Sequence, residues 1–500
     1  MDIAGADTAC FIDGRWVTGA GSQFTAIDPS TENPIVSWVG ADAAQVEEAV
    51  VAARRTVADR TWSGLAPDRR AAVLDRLADL IEQHSEELAL SVVAEVGSPI
   101  TLARTLQVAQ PAANLRWCAE MASRGPMGGL VQQLPALPAN GSVPASSSLL
   151  VREPIGVVAA MTPYNYPINM LSWKVGPALA AGCSVVALPS PRGTLCSIAF
   201  VRLAEEAGVP AGVLALVPGG AAVGEQLAAH PDVDLVTFTG SNSVGAHVMQ
   251  LAAPNATKVV LELGGKSPTV ILPSADLAAV VGPSILRFCR NAGQGCGATT
   301  RILVPRPWVE RFVELARRFI DDHVPTGDPR LETTEVGPLI SEEHLGQVTA
   351  AIERAETSGA TVAVGGRRLS GRGFYLEPTL VVGAEPDAEL SQEELFAPVA
   401  VVLAYDSVDE AVGIANSTRY GLNAVVWGDL DQARAVAERI ESGTVAINGG
   451  GAMRPDVPWT GFRTSGIGSD MGEDGYREFF RVKHLQWPQS PPSGPPAPPM

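Results

Sequence analysis

Two side chains in the middle of the chain have the types that covalent chemistry on a carbonyl carbon requires. Glu262 lies in the run LELGGKSP, and Cys296 ends the run NAGQGC, 34 residues further along. A thiolate attacks a carbonyl carbon, and a carboxylate can later take the proton of an attacking water. Gly293, Gly295 and Gly297 leave room for a substrate and bare backbone N–H groups for an oxyanion. A lone cysteine is more often a small buried hydrophobe, so the thiol by itself leaves a purely structural interpretation open.

The two runs together resemble the signature motifs of the aldehyde dehydrogenase superfamily, and the resemblance extends from about Phe11 to about Gln486. In that family the cysteine is the nucleophile and the glutamate activates the hydrolytic water. The resemblance therefore implies that Cys296 and Glu262 oxidise an aldehyde to a carboxylic acid with a nicotinamide cofactor. Members that pass the acyl group to coenzyme A tend to lack the glutamate, so its presence favours the free acid as product.

Another part of the implied active site lies in MTPYNYP, which resembles the TPWNFP segment of the family. The resemblance assigns Asn165 to the oxyanion hole, together with the backbone N–H of Cys296. It also makes Lys174 a catalytic residue that exchanges protons with position 470. The family has a glutamate there and this chain has the shorter Asp470, so we expect a water-bridged contact between Lys174 and Asp470. The residues expected to line the aldehyde tunnel are Tyr166, Met170, Trp173, Met453 and Trp459.

The run FTGSNSVG combines a strand end, a glycine turn and a helix start that Ser241 can cap. Such a helix start offers N–H groups and a favourable dipole to a phosphate, although the run is not the GxGxxG fingerprint. In the family this variant binds the cofactor diphosphate. The run EELFAPV resembles the motif whose Glu394 binds the nicotinamide ribose and whose Phe396 packs on the nicotinamide. The expected cofactor contacts are Met161, Thr162, Pro163, Ser190, Gly240, Ser241, Gly245, Leu263, Gly264, Glu394 and Phe396.

The preference between NAD and NADP is predicted from a departure from the family pattern. Where many members have Lys-Pro-Ser-Glu, this chain has Leu188, Pro189, Ser190 and Pro191. Both polar partners of the adenosine ribose are gone, and so is the carboxylate that would repel a 2′-phosphate. Arg192 either reaches a 2′-phosphate or points into solvent. We expect NAD to be the main cofactor, with NADP accepted within about a hundredfold, or about 2.7 kcal/mol.

The composition restricts the other partners. The 500 residues are 46% hydrophobic, which is enough for a large core in two to four domains. A formal net charge of -18 argues against nucleic acid and anionic membrane as partners. The six cysteines are scattered without CxxC spacing or a histidine cluster, so we expect neither a disulfide framework nor a metal site. The sequence shows no membrane span and no signal peptide, which predicts a cytoplasmic enzyme.

Periodicity predicts the elements that must position these residues. Short β-type runs lie between Phe11 and Gly40, and an amphipathic helical layer follows from Asp68 to Trp117. From Glu153 strands and helices alternate, which is typical of a doubly wound parallel sheet with ligands at the carboxyl ends of its strands. The strands expected in this part are 156–161, 183–188, 213–217 and 234–239, and the helices 168–181, 196–207 and 222–229. Later in the chain we expect helices at 308–321 and 342–356 and strand-like runs near 361 and 400–404.

The predicted fold class is α/β, with a doubly wound Rossmann-like cofactor domain, an αβ catalytic domain and a small oligomerisation β-arm. Residues 1–129 and 152–263 are assigned to the cofactor domain, and residues 264–466 to the catalytic domain. The resemblance assigns 130–151 and 467–487 to assembly of a homodimer or homotetramer, with a disordered linker as the alternative for 130–151. Residues 488–500 contain seven prolines in thirteen positions and are predicted to be disordered.

Two other functions stay open at this point. One is a non-catalytic dinucleotide-binding relative that kept the fold, and the other is a thiol hydrolase that uses Cys296 and Glu262 on esters without a cofactor. Formation of reduced nicotinamide separates the dehydrogenase from both. The bulk of Met453 and Trp459 beside a glycine-flanked thiol favours a medium or large apolar or aromatic aldehyde over a short charged one.

Overall fold

The computed structural model describes residues 9–124, 131–138, 140, 145–450 and 453–488. The strands are β1 (Cys10–Ile12), β2 (Arg15–Val17), β3 (Gln23–Ile27), β4 (Pro34–Val39), β5 (Val131–Leu137), β6 (Ser146–Pro154), β7 (Val157–Thr162), β8 (Ser184–Pro189), β9 (Leu214–Leu216), β10 (Leu235–Thr239), β11 (Lys258–Glu262), β12 (Pro268–Ile271), β13 (Arg301–Pro305), β14 (Thr361–Val364), β15 (Thr379–Val382), β16 (Val399–Tyr405), β17 (Tyr420–Gly421), β18 (Asn423–Trp427), β19 (Thr444–Ile447), β20 (Phe462–Arg463), β21 (Gly466–Ile467) and β22 (Phe480–Pro488). The helices are α1 (Ala43–Ala58), α2 (Pro67–Gln83), α3 (Ser85–Val96), α4 (Ile100–Leu102), α5 (Ala109–Ser123), α6 (Pro167–Ala181), α7 (Thr194–Glu206), α8 (Ala221–Ala229), α9 (Asn242–Ala252), α10 (Leu277–Cys289), α11 (Val309–His323), α12 (Glu342–Thr357), α13 (Glu389–Gln392), α14 (Val408–Ala415), α15 (Leu430–Ala437) and α16 (Gly472–Arg477).

The first sheet has eight strands in the order β2-β1-β9-β8-β7-β10-β11-β21. Its inner strands β9, β8, β7, β10 and β11 are parallel, and β7 and β8 are buried along their whole length. Continuous apolar runs of this kind suit a sheet that helices cover on both faces. The strand order reverses between β7 and β10. The ends of these two strands, at Thr162 and Thr239, therefore border the crevice in which a doubly wound sheet binds its ligand.

Every strand and helix predicted between residues 156 and 239 is present, and the predicted α/β fold class is confirmed. The ends coincide with the predicted ones or differ by one or two residues. The helix predicted at 168–181, for example, is Pro167–Ala181, because proline fits the first turn of a helix, where its missing N–H costs nothing.

The second sheet has seven strands in the order β14-β15-β16-β13-β12-β18-β19, and only β14 is antiparallel to its neighbour. The predicted helices at 308–321 and 342–356 are confirmed as α11 and α12, and the two strand-like runs as β14 and β16. The strands β12, β13, β15, β18 and β19 were not predicted. They are short, and their mostly apolar sequences lack the alternation that identifies a half-buried strand.

A third sheet combines the predicted arm with the C-terminal part of the chain. The strand pair expected within 130–151 is present as β5 and β6, although residues 130, 139 and 141–144 lie outside the described part. The middle strand β6 also pairs along its length with β22. The domain boundaries and the assembly role given to this arm stay predictions. The tail predicted to be disordered lies outside the described residues from position 489 onward.

Within the described ranges no helix has both the length and the apolar character needed to cross a membrane. In those ranges there is also no group of three or more His, Cys, Asp and Glu side chains placed to hold a metal ion.

Candidate active site

A cavity of about 1930 Å³ opens at the carboxyl edge of the first sheet. One part of its wall comes from the ends of β7, β8 and β10 and from the start of α9. The other part comes from α6, the end of α10 and the segment 453–459. Cys296 and Asn165 both line this cavity, whereas the side chains of Glu262 and Lys174 are buried behind the wall.

The backbone before Cys296 makes a tight left-handed turn. Asn291 and Ala292 have φ values of 53° and 54°, and Gly293 follows with a φ of 71°. The first two are strained, because non-glycine residues seldom occupy this region. Asn291 is held in place by donating to the Asn165 carbonyl at 3.0 Å and by accepting from the Ser98 hydroxyl. Strain of this kind persists only where surrounding contacts fix the backbone, so the position of the thiol is determined by packing.

The three glycines around the thiol have different roles. A Cβ at Gly293 would lie 2.1 Å from the Ala397 carbonyl carbon, so this position allows close packing of two backbones and does not clear space for a substrate. A Cβ at Gly295 would lie 3.6 Å from the Tyr166 hydroxyl, and one at Gly297 would lie 3.0 Å from the Trp459 ring. The rings of Tyr166 and Trp459 therefore flank the segment that carries the thiol.

Cys296 differs from the other five cysteines, because those five are buried and Cys296 is partly exposed. Its surroundings nevertheless disfavour the thiolate. Burial of the sulfur raises its pKa to about 12, and the carboxylates of Glu394 and Glu262 contribute to that rise. The backbone N–H groups of Gly297 and of Cys296 itself act in the opposite direction. The thiol is therefore accessible but protonated at neutral pH in this state.

Asn165 is oriented towards the cysteine segment by its own hydrogen bonds. Its Nδ2 donates to the Gln294 carbonyl at 2.9 Å, which leaves the second amide proton free for another acceptor. Gln294, which the sequence did not single out, is fixed in turn, because its Oε1 accepts from Tyr164 Oη at 3.1 Å and from the backbone N–H of Ile340 at 3.0 Å.

Glu262 ends β11 and is almost completely buried. Neither carboxylate oxygen has a hydrogen-bond partner among the described residues. Burial raises the pKa of Glu262 well above its usual range, the Asp470 carboxylate raises it further, and Lys174 lowers it. Glu262 is thus close enough to Cys296 to raise the pKa of the thiol. It is also close enough to the buried Lys174 and Asp470 for both of their charges to change its own pKa.

That pair corrects one prediction. Lys174 Nζ donates directly to Asp470 Oδ2 at 2.9 Å, so the expected water-bridged contact is wrong. Both backbone groups of Asp470 bond to Trp459, at 2.9 and 2.7 Å, which brings the Asp470 backbone close enough to offset its shorter side chain. Lys174 also donates to Thr237 Oγ1 at 2.9 Å, a contact that the sequence did not reveal.

The residues predicted to contact the cofactor occupy the other part of the wall, with one exception. Those that line the cavity are Met161, Thr162, Pro163, Ser190, Gly240, Ser241, Leu263, Gly264, Glu394 and Phe396. Gly245 is buried one turn into α9 and does not line the cavity. A Cβ at Gly245 would lie 2.5 Å from Leu263, so this glycine allows α9 to pack closely against the sheet.

Two groups on this side are prepared for polar contacts. Ser241 caps α9 by accepting from the Val244 N–H at 3.4 Å, and this end of the helix opens into the cavity. Glu394 Oε1 accepts from the Gly265 N–H at 3.1 Å. Burial raises the pKa of Glu394 to about 7, although the Gly265 N–H and Lys266 oppose that rise.

At the end of β8, Arg192 points towards the second sheet. Its Nη2 lies 3.7 Å from Glu343 Oε2 on α12, and its backbone N–H donates to Ser190 Oγ at 3.3 Å. The guanidinium is 47% exposed and does not line the cavity, so of the two alternatives that the sequence left open it is nearer to the one that points into solvent.

Four of the five residues predicted to line the tunnel form one apolar cluster beside the thiol. Met170 and Trp173 are buried against Met471, with Tyr166 and Trp459 packed around them. The Trp173 and Trp459 ring centroids are 6.3 Å apart. The sequence did not reveal Met471, although its place next to Asp470 was a signal. Met453 lines the cavity as predicted and is 37% exposed.

Comparison with known proteins agrees with this geometry. The model of the aldehyde dehydrogenase family matches residues 16–485. Geranial dehydrogenase from Castellaniella defragrans is 36% identical over 479 residues, which are 95% of this chain and 98% of that protein. Betaine aldehyde dehydrogenase from Bacillus subtilis is 37% identical over 484 residues, covering 95% and 96% of the two chains. A crystal structure of aldehyde dehydrogenase C from Pseudomonas syringae, a cysteine-to-alanine variant with NAD+ and octanal, superposes with a TM-score of 0.89 at 38% identity and covers 96% of this chain and 97% of that one.

Proposed function

The chain belongs to the aldehyde dehydrogenase family and oxidises an aldehyde to the carboxylic acid with NAD, and we propose that Cys296, Asn165 and Glu262 carry out this reaction. The observation that carries the assignment is the position of Cys296. It is the partly exposed cysteine of the chain, it lines the cavity beside Asn165, and Glu262 lies close behind it.

The cavity wall fits a dinucleotide cofactor. The start of α9, capped by Ser241, offers N–H groups and a positive dipole end to a diphosphate. The Glu394 carboxylate and the ring of Phe396 lie further along the same wall, where a ribose and a nicotinamide would need a polar and an aromatic contact. When bound, NAD supplies the acceptor for the hydride that leaves the substrate carbon.

Addition of the thiolate of Cys296 to the aldehyde carbon puts negative charge on the carbonyl oxygen. Asn165 holds one amide proton on the Gln294 carbonyl and has a second one to donate to this oxygen. The backbone N–H of Cys296 supports the same oxyanion. Donors that are fixed before the reaction need no reorganisation, and loss of one typically costs about 100- to 1000-fold in kcat.

Hydrolysis of the resulting thioester needs a base for water. We assign this role to Glu262, because a buried carboxyl with a raised pKa gains more by accepting a proton than an exposed carboxylate does. Lys174 and Asp470, paired directly behind it, provide the charges among which that proton can move. The role of Lys174 is to hold or pass the proton.

For the cofactor preference we propose NAD as the main cofactor, with NADP accepted within about a hundredfold, or about 2.7 kcal/mol. The support is the apolar pair Leu188 and Pro191, which leaves no carboxylate at this turn to repel a 2′-phosphate. Arg192 lies 3.7 Å from Glu343, which competes with that phosphate for the charge of the guanidinium. NADP is therefore expected to be tolerated without being preferred.

We propose a medium or large aldehyde with an apolar or aromatic body as substrate. The support is the cluster of Met170, Trp173 and Trp459 beside the thiol. One relative is named for geranial, and one of the solved structures contains octanal. Both are neutral aldehydes with long hydrocarbon bodies, whereas betaine aldehyde, for which another relative is named, is cationic. Each carboxylate on the described cavity wall already accepts a hydrogen bond within the protein, which argues against a cationic aldehyde as the preferred substrate.

We also propose that the chain assembles as a homodimer or homotetramer through the third sheet. Val482, Leu485 and Trp487 on β22 have exposed side chains, between 43% and 61% of full exposure. Exposed apolar side chains on an open sheet are a surface that another chain can cover. A cytoplasmic location is our further expectation, since all six cysteines are unpaired thiols, as in a reducing compartment.

A spectrophotometric assay with octanal tests the function. The wild-type chain with NAD and octanal should form reduced nicotinamide with sustained turnover, and Cys296→Ala should lower that turnover by more than about a thousandfold while NAD binding persists. Ester hydrolysis without formation of reduced nicotinamide would instead support a thiol hydrolase. Binding of NAD with neither activity would support a non-catalytic relative.

A further inference from the structure

Arg290 stands at the cavity wall, six residues before the thiol, and its side chain is exposed. It follows directly on α10 and precedes the left-handed turn at Asn291 and Ala292. Because packing fixes this turn, the backbone of Arg290 is fixed relative to Cys296 as well. The guanidinium therefore samples only the part of the cavity that its side chain can reach from this point.

Arg290 is the unpaired member of a group of four. In the described part of the chain the other three arginines on the cavity wall have partners: Arg354 bonds to Glu389 at 2.6 Å, Arg454 to Asp456 at 2.6 Å, and Arg287 donates to the Gly449 carbonyl at 2.8 Å. Arg290 has neither a hydrogen bond nor an ion pair within the same described residues. The chain has 54 acidic and 36 basic side chains, so a shortage of carboxylates does not explain this.

Arg290 lines the same cavity as Cys296, together with Tyr166 and Arg287. Burial raises the pKa of Tyr166, and Arg290 opposes that rise. Burial also lowers the pKa of Arg287, and Arg290 lowers it further. Tyr166 flanks Cys296, because a Cβ at Gly295 would lie 3.6 Å from its hydroxyl. The positive charge of Arg290 is therefore close to the apolar cluster that would surround the hydrocarbon body of a substrate.

The carboxylates on the cavity wall do not pair with Arg290. Each carboxylate on its described wall already has a partner: Glu225 bonds to His247, Glu389 to Arg354, Glu393 to Arg419 and Glu394 to the Gly265 N–H. Arg290 is therefore the one charged side chain on this described wall without a hydrogen-bond or ion-pair partner, and an anionic group of a ligand can bind it without displacing a protein contact.

We propose that the preferred substrate is an aldehyde with a carboxylate at its far end, an ω-oxo acid. Its hydrocarbon body lies against Trp173 and Trp459, and its carboxylate binds the guanidinium of Arg290. Arginine suits this task, because its planar fork matches the two oxygens of a carboxylate. The inference rests on the proposed function, since it names the substrate class of the same site.

The test compares aldehydes that differ only in the terminal group. With saturating NAD, kcat/KM is measured for octanal and 8-oxooctanoate, and then for shorter and longer ω-oxo acids. We expect the best ω-oxo acid to exceed the neutral aldehyde of equal length about tenfold, a modest factor because Arg290 is exposed to solvent. The advantage should shrink as salt is added.

Variants assign the effect to the residue. Arg290→Met should remove the advantage mainly through KM, with a much smaller change for octanal than for the ω-oxo acid, while Arg290→Lys should keep part of the advantage. Arg311→Met is the matched control, because Arg311 is an exposed arginine that pairs with Glu314 on α11 and does not line the cavity. It removes the same charge and should keep the full advantage.

Three results would overturn the inference: no advantage for any ω-oxo acid, an advantage that persists in Arg290→Met, or equal losses for octanal and 8-oxooctanoate in that variant. Failure of the proposed function looks different, since no aldehyde of either kind would then produce reduced nicotinamide. Oxidation of octanal by wild-type protein therefore separates the two.

Discussion

Asp470→Ala should destabilise the chain far more than the loss of a surface ion pair would. Lys174 and Asp470 are in contact at 2.9 Å, with only 0% and 1% of their side chains exposed. Exposed pairs contribute about 0–1 kcal/mol, but a buried charge left without its partner costs about 3–5 kcal/mol. In Asp470→Ala the ammonium keeps only the Thr237 hydroxyl as acceptor, so the larger figure applies. Urea unfolding followed by fluorescence measures the loss.

The double variant Lys174→Met with Asp470→Leu separates stability from chemistry. Replacing a whole buried pair by apolar side chains is often neutral or stabilising, so its free energy of unfolding should lie within about 1 kcal/mol of wild type. If the pair also handles protons for Glu262, this stable variant should still hydrolyse its thioester slowly, which rapid-mixing kinetics would show as a burst of reduced nicotinamide. A stable double variant with normal turnover would mean that the pair is structural only.

Asp470→Asn gives the sign of the electrostatic effect. The Asp470 carboxylate raises the pKa of Glu262, so removing its negative charge makes deprotonation of Glu262 easier and lowers that pKa. The acid limb of kcat should therefore move to lower pH. A limb that stays in place or moves to higher pH, or an Asp470→Ala variant that loses less than about 1 kcal/mol, would refute the reasoning.

Three further predictions concern the same site. Glu262→Gln should give a burst of reduced nicotinamide followed by slow turnover, since the thioester forms but water is not activated; a folded variant without a burst would place Glu262 earlier in the reaction. Glu394→Gln should speed alkylation of Cys296 by iodoacetamide severalfold near neutral pH, because Glu394 raises the pKa of the thiol; mass spectrometry of the labelled peptide measures it, and an unchanged rate would contradict the effect. For the cofactors, kcat/KM with NAD should exceed kcat/KM with NADP by less than about a hundredfold. A preference for NAD beyond a thousandfold would contradict the argument from Pro191, because some other residue would then exclude the 2′-phosphate.

The sequence predicts a strand or helix best where the local sequence alone marks its apolar pattern and its ends. Between residues 156 and 239 every strand and helix has its own apolar run and its own glycine or proline boundary, and all are present. In the second sheet, strands such as β12 and β18 are short apolar runs whose partners lie more than 150 residues apart, as for Thr269 and Val425. The pairing of β6 with β22 is still more distant in sequence, as for Phe480 and Pro154. No local pattern encodes such pairings, so only the folded chain reveals them.

At the site, residue types were predictable and backbone positions were not. The motifs selected Cys296 and Asn165, and the fold does bring both to one cavity. The prediction for Asp470 was wrong because it considered only the shorter side chain and assumed the backbone position of a glutamate. The backbone hydrogen bonds between Asp470 and Trp459 set that position independently of the side chain. The same reasoning explains why the sequence did not single out Arg290. Its importance lies in having no partner among the described residues, and this becomes visible only when the partners of the neighbouring charged residues are known. An unpaired charge on a cavity wall thus indicates the charge of the ligand, which a sequence motif cannot show.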